Sequence, residues 1–250
     1  EKFKEYYNKN ISLIVDFFSK KKIDLLFKQK KIKSKKFSLI TSFAMFYDIE
    51  DPNSFCKDIA SLLEKDGIWI SEFSYFPLLL KNLTYDQICH EHVTYYTLKT
   101  FELITKKNNL KIIDISFNEI NGGSIEIICA KKASKIKTNV HKIYEVLRDE
   151  DNINDDSYKR FNERVSNTKK LIQNFLKLNK VRNNIIGYGA STKGNIVLNH
   201  CNIKSDILPY ICDANPYKYG RYTPGSNIKI ISKNKMRKMK PKYLFVLIWS

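Results

Sequence analysis

Short apolar runs of strand length alternate along this chain with segments whose apolar residues recur at helical spacing, and few architectures accept that alternation. "KKFSLITSFAMF" (35–46) and "IWISEFS" (68–74) read as strands, and "DPNSFCKDIASLLEKDG" (51–67) between them reads as a helix. Asp51 is placed to cap that helix, Pro52 opens it, Gly67 stops it, and Phe55, Ile59, Leu62 and Leu63 share one face. "ISLIVDFFS" (11–19) is an apolar run ending at an acid, the pattern of a buried strand. "TLKTFELITKKNN" (97–109) predicts a further helix, and "LKIIDISFNEI" with "GSIEIICAKK" predicts an antiparallel hairpin. The sum is an α/β sheet with an antiparallel edge.

A second, smaller unit follows. Residues 132–157 are charged and polar and read as a connector, and "SYKRFNERVSNTKKLIQNFLKLN" (157–179) reads as a long helix. "NNIIGYGAS" is then strand into glycine loop, "TKGNIVLNHC" a helix, "ILPYICDANP" a strand and "KYLFVLIWS" another. The expected division is a first α/β domain over 1–132, a connector with the long helix over 133–180, and a smaller βαβ domain over 181–250. Neither end has the look of a domain boundary, and the expectation is an internal piece of a longer protein.

Composition excludes several classes. With 43% hydrophobic residues the chain is neither disordered nor fibrous, and 250 residues suffice for one large core or two smaller ones. The net charge of +18 has the sign of a nucleic-acid binder, but the excess is mainly lysine spread over the whole length. Nucleic acid is therefore not the expected partner. Cys56, Cys89, Cys129, Cys201 and Cys212 stand alone, without a CxxC pair, and read as reduced core residues of a cytoplasmic protein. No secretory signal and no membrane-spanning run is present in the sequence.

Three motifs carry chemistry. "GYGASTKGN" (187–195) follows an apolar strand and opens a helix, the context that places phosphates at a helix N-terminus. It departs from the dinucleotide pattern, since Thr192 stands where a third glycine belongs, and from the P-loop order. It is either a tight turn that needs glycine or a diphosphate site with Lys193 as point charge and Ser191 and Thr192 as donors. Asp213 lies 26 positions after Gly187, loosely where a ribose-binding acid would stand. Asp16, at the end of its apolar run, is either a helix cap or an acceptor for a nucleoside.

His90-Glu91-His92 is the third. On a strand, His-x-His would put both imidazoles on one face, yet no further ligand has metal spacing nearby. A hydrogen-bonded structural knot is the second reading, and acid–base work the favoured one, because a histidine titrates near neutrality and a carboxylate can orient it.

Taken together and in this order, "ITSFAMFYDIEDP", "YDQICHEHVTYYTL", "INGGSIEI", "GYGASTKGN" and "DANPYKYGRYTPG" resemble the nucleotide-sugar C-methyltransferases, from about Lys2 to Trp249. The resemblance implies a Rossmann-like methyltransferase domain, incomplete at its N-terminus, followed by a second, smaller Rossmann-like domain. It implies S-adenosylmethionine as methyl donor, a nucleotide-diphosphate sugar as substrate, and a structural zinc only in a segment that precedes this chain; the sequence does not fix the oligomeric state, and a monomer is the expectation. His92 matches the family's general base and Glu91 its acidic partner.

Cys89 replaces the tyrosine of the family's Tyr-His-Glu-His, and Asp48 stands where a histidine is often found. Both positions face the reacting sugar in the family, so either the sugar or the methylated position differs. Asp16, Phe17 and Ser42 are the expected cofactor contacts. Asn121, Gly122, Gly123, Ser191, Lys193, Asn195 and Arg221 are the expected substrate contacts. The expected reaction is methylation of the carbon beside the ketone of a 4-keto deoxysugar. Methylation of a sugar hydroxyl is the alternative, and nucleic-acid binding or a nicotinamide-dependent dehydrogenase stands further off.

Overall fold

A computed structural model describes residues 7, 11–30, 36–179 and 184–248. The chain divides into two units that interleave along the sequence. Unit 1 is Glu1–Phe73, Tyr96–Asn118 and Ser124–Glu150, and unit 2 is Ser74–Tyr95, Glu119–Gly123 and Asp151–Ser250.

Unit 1 holds α1 (Lys20–Gln29), β1 (Phe37–Phe43), α2 (Pro52–Leu62), most of β2 (Leu63–Ser74), α4 (Leu98–Lys107), β3 (Leu110–Asn118), β4 (Ser124–Lys131) and α5 (Val140–Glu150). The sheet order is β1-β2-β4-β3, with β1 parallel to β2 and β3 antiparallel to β4, so the α/β class and the antiparallel edge stand as expected. Asp51 caps α2 by accepting from the Ser54 N–H at 3.0 Å, with Pro52 in the first turn. The core is aromatic. Phe46 is fully buried, with the rings of Trp69, Phe73, Tyr96 and Phe101 centred 5.0–5.8 Å from its own.

Three expectations change in this unit. Residues 11–19 form no strand and pair with none of the described strands; Val15 and Phe17 are exposed, and a strand without a ladder partner has nothing to hold its backbone. Gly67 does not stop α2. The helix ends at Leu62, and Gly67 lies inside β2, where a Cβ would meet the Phe37 carbonyl oxygen at 2.7 Å. The charged stretch read as a connector contains α5. The buried Glu150 at its end accepts from the N–H groups of Leu98 and Lys99, so its carboxylate sits at the N-terminus of α4.

Unit 2 holds α3 (Phe76–Asn82), α6 (Asp155–Leu178), β5 (Ile185–Tyr188), α7 (Thr192–His200), β6 (Tyr210–Asp213), β7 (Lys229–Ser232), α8 (Lys233–Met239) and β8 (Tyr243–Val246). Its sheet is parallel throughout, in the order β7-β6-β5-β8. The long helix is present as α6, opened by a capping box on Asn154 and Ser157. β7 and α8 are additions to the expected βαβ pattern.

The contiguous division expected from sequence differs from these units. Residues 74–95 belong with unit 2 because Leu79, Leu80 and Tyr85 bury against Phe161 and Val165 of α6. The expected boundary at 180/181 lies outside the described residues. No helix among the described residues is long and apolar enough to cross a membrane.

Candidate active site

Unit 2 draws together three segments that are distant in sequence. The first is a 3-10 turn, Tyr85–Gln87, leading into the His-Glu-His loop. It is anchored by burial: Tyr85, Asp86 and Gln87 are each under 10% exposed, at 9%, 3% and 1%. From there the backbone winds tightly, with the Cys89 N–H donating to the Gln87 carbonyl at 3.0 Å and the His92 N–H to the Cys89 carbonyl at 3.2 Å. His90, Glu91 and His92 thus lie on a loop rather than a strand, with His90 and Glu91 exposed and His92 half-buried. The His92 ring meets the Tyr95 ring edge-on at 6.4 Å, and the Tyr95 hydroxyl donates to the Gln87 carbonyl at 3.3 Å.

The second segment is the Asn121-Gly122-Gly123 turn. All three residues have positive φ, at 54°, 80° and 128°, which explains the two glycines. A Cβ on Gly123 would also meet Leu78 Cβ at 2.7 Å. The turn is pinned from outside: Asn82 Nδ2 donates to the Gly122 carbonyl at 2.7 Å, the Tyr75 N–H to the Gly123 carbonyl at 3.1 Å, and Gln87 Nε2 to the Asn121 carbonyl.

The third is the start of α7. Ser191 caps it, its hydroxyl accepting from the Gly194 N–H at 3.0 Å. Lys193, half-buried, reaches away to donate to Asn121 Oδ1 at 2.9 Å. Burial lowers the Lys193 pKa, while Asp86 and Cys89 act in the opposite sense. Asn195 Oδ1 and Gln87 Oε1 are buried acceptors without a hydrogen-bond partner in the protein. Of the residues assigned from sequence, Cys89, the main chain of His92, Asn121 and Lys193 therefore join through one set of bonds that includes Gln87; Gly122 and Gly123 continue the Asn121 turn, and Ser191 caps the helix that carries Lys193. Asp86 and Gln87 were missed; the only sign of them is a polar pair inside an aromatic-flanked stretch.

Asp213 has a structural role beside this network. Its carboxylate accepts from the Ala190 N–H at 2.9 Å, the Asn215 N–H at 2.8 Å and Lys218 Nζ at 3.3 Å. Burial raises its pKa, but those N–H groups and the ammonium outweigh burial and hold it below the usual carboxylate range. Arg221 lies exposed on the loop after β6.

The residues expected to hold the methyl donor lie in unit 1. Asp16 is exposed and paired with Lys22, which lowers its pKa first through that contact and then through the Phe17 N–H. Phe17 is 93% exposed. Ser42 is sealed in the core, accepting from Trp69 Nε1 at 2.9 Å and 3.1 Å from the Ser71 hydroxyl. Asp48 is exposed, in a 3-10 turn after β1. A cleft of about 580 Å³ in unit 1, lined by Lys57, Lys107, Lys131 and neighbours, contains none of the assigned residues and no acid or histidine. Among the described residues no cluster of histidine, cysteine and acid could hold a metal.

Comparison with known proteins gives two family matches: a C-methyltransferase C-terminal domain over residues 119–250 and a methyltransferase domain over residues 5–115. The chain is 28% identical over 211 residues to the C-methyltransferase NovU of Streptomyces niveus, covering 82% of this chain. It spans about half, 50%, of the length of that curated relative. Among solved structures it is similar to an S-adenosylmethionine-dependent methyltransferase of Clostridium acetobutylicum, at TM-score 0.32 and 14% identity over 44% of this chain and 70% of that one. It is also similar to a magnesium protoporphyrin IX methyltransferase of Synechocystis, at TM-score 0.31 and 14% identity over 38% and 45%. At these scores the structural likenesses carry no argument.

Proposed function

The chain belongs to the C-methyltransferase family, and on that premise we propose that it methylates the carbon beside the ketone of a nucleotide-linked 4-keto deoxysugar, with S-adenosylmethionine as donor. The observation that supports this reading is the bonded set in unit 2. It ties the main chain of the His92 loop, through Cys89 and Gln87, to Asn121 and Lys193, polar groups of the kind a ketosugar needs around it.

A proton beside a ketone is weakly acidic, so its removal needs a placed base and something to hold the charge that moves to oxygen. His92 is the base. Its position is fixed by the Cys89 carbonyl on its own N–H and by the Tyr95 ring, and Glu91 is its acidic partner. Ser191, Asn195 and Arg221 complete the substrate contacts, and the Asn121 turn presents its backbone to the sugar. Cys89 and Asp48, the departures from the family, are the proposed determinants of which sugar is taken. S-adenosylmethionine, when bound, supplies the electrophilic methyl group. Asp16, Phe17 and Ser42 remain its proposed contacts.

The test uses the full-length protein and a thymidine-diphosphate-linked 4-keto-6-deoxyglucose in deuterated water. Deuterium entering at the ring carbon, with a methyl group arriving at that carbon when donor is added, is the expected result. Methyl transfer to a hydroxyl oxygen without deuterium at carbon would replace this reading with O-methylation.

A further inference from the structure

The glycines around Lys193 say what the loop of unit 2 is built for. A Cβ on Gly187 would meet Ile211 at 2.9 Å, on Gly189 would meet Ile248 at 2.4 Å, and on Gly194 would meet Leu247 at 3.0 Å. Each glycine is used by the close approach of an apolar side chain of the same unit. A phosphate cradle uses its glycines to let a ligand approach the backbone, and at Gly189 that space is filled by Ile248.

Lys193 is bonded elsewhere. Its Nζ donates to Asn121 Oδ1 at 2.9 Å, the Asn121 carbonyl accepts from Gln87 Nε2, the Gln87 carbonyl accepts from the Cys89 N–H, and the Cys89 carbonyl from the His92 N–H. Through these bonds and the residues between them, the ammonium is tied to the main chain of the loop that carries His92. Asn121 is a rigid holder for it, because its left-handed backbone leads into two glycines and the turn is pinned at the Asn121 and Gly122 carbonyls.

We propose that the Lys193 ammonium donates to the substrate's ketone oxygen and holds the oxyanion that forms there when His92 takes the neighbouring proton. The inference rests on the reaction proposed above. The imidazole accepts the proton, the C–H electron pair becomes the C=C bond of the enolate, and the carbonyl π pair moves onto oxygen, where the Lys193 N–H meets it. Nothing is oxidised or reduced, and the reverse step returns a proton from the imidazole to carbon. A half-buried ammonium suits this task better than a surface phosphate contact, because the charge interaction is stronger where water is thinned out. Burial lowers the Lys193 pKa, and Asp86 and Cys89, which favour the charged form, oppose that only in part.

Exchange of the proton beside the ketone for solvent deuterium reads this step alone and needs no methyl donor. With full-length protein and thymidine-diphosphate-4-keto-6-deoxyglucose, Lys193→Met should lower the saturated exchange rate by about 10²–10³, the scale of one lost oxyanion donor. Its affinity for thymidine diphosphate, which has no ketone, should match the wild type. Lys193→Arg keeps the charge and should recover part of the rate. Asn121→Ala keeps the lysine but removes its Asn121 acceptor, and should fall between wild type and Lys193→Met.

Weaker thymidine diphosphate binding by Lys193→Met with a wild-type saturated exchange rate would overturn the inference and make the lysine a phosphate contact. Loss of exchange by Lys193→Met and Lys193→Arg alike, with Asn121→Ala as low as either, would make it a strut for the Asn121 turn. Absence of exchange in the wild type would sink the proposed reaction and this inference with it. Exchange that persists unchanged in Lys193→Met sinks the inference alone.

Discussion

The two units bury polar side chains for opposite ends. In unit 1 two of them serve the fold itself: Ser42 bonds Trp69 and Ser71 inside an aromatic core, and Glu150 serves the first turn of α4, while Glu72 Oε1 is left without a partner. In unit 2 they join segments far apart in the chain. Residues 85–92, 120–123 and 191–195 meet through Gln87, Asn121 and Lys193, and two acceptors, Gln87 Oε1 and Asn195 Oδ1, are left without a partner. An orphaned acceptor costs about 1–3 kcal/mol in either unit, but in unit 2 one of them, Gln87 Oε1, belongs to a side chain that also joins two of these segments. What sets unit 2 apart is that its polar side chains bring motif residues together, and the chemistry is sought there.

The harshest way to break this comparison is to attack the core of unit 1. Phe46 touches Trp69, Phe73, Tyr96 and Phe101, all buried. Phe46→Ala should cost about 3–5 kcal/mol of stability, seen as lost amide protection in β1 and β2 by hydrogen exchange. A change below about 1 kcal/mol would mean that the aromatic cluster is not what holds unit 1.

His92→Asn sharpens the other side. Asparagine keeps a polar edge but takes no proton at neutral pH, so the full-length protein should fold and bind substrate while proton exchange falls by about 10²–10⁴. His90→Asn, on the same loop and exposed, should cost far less. An unchanged exchange rate in His92→Asn would remove His92 from the mechanism and leave Glu91 or Asp48 as the base.

These contrasts explain how much the sequence disclosed. β1, α2, α4, the β3–β4 hairpin and α6 were legible because each carries its own period and its own cap, such as Asp51 or Thr97. α5 was hidden because only Ile143 and Glu150 are buried along it, so its charged faces read as a linker. The strand expected at 11–19 failed because an apolar run does not declare its ladder partner. At the site, the motif glycines were readable, but their purpose was not: positive φ at Gly122 and Gly123, and the approach of Ile248 to Gly189, depend on residues far along the chain. Gln87 showed in sequence only as half of a polar pair, because its role comes from what it is bonded to.

Ser42→Ala tests the placement of a residue assigned to the methyl donor. Removing its hydroxyl leaves Trp69 Nε1 buried without its acceptor, at a cost of about 1–3 kcal/mol. Thermal unfolding should show that loss. Calorimetry with S-adenosylmethionine would then decide the residue's second role: affinity reduced about tenfold keeps Ser42 among the donor's contacts, and equal affinity leaves it a core hydroxyl.

The smallest effect expected is a pH dependence in unit 2. Asp213 has its carboxyl held below the usual range in the folded state by the Ala190 and Asn215 N–H groups and Lys218, against the opposing effect of burial. A group whose folded pKa is depressed contributes stability that is present above its unfolded value and lost as pH falls through the folded one. Acidification from neutrality through the carboxylate range should therefore loosen the junction of β5, α7 and β6. Hydrogen exchange at the Ala190 amide would report that opening locally. Asp213→Asn should weaken the junction at neutral pH and flatten its response to acid. If the Ala190 amide in Asp213→Asn keeps the acid response of the wild type, another group carries it, and the carboxylate is only one bond among several at that corner.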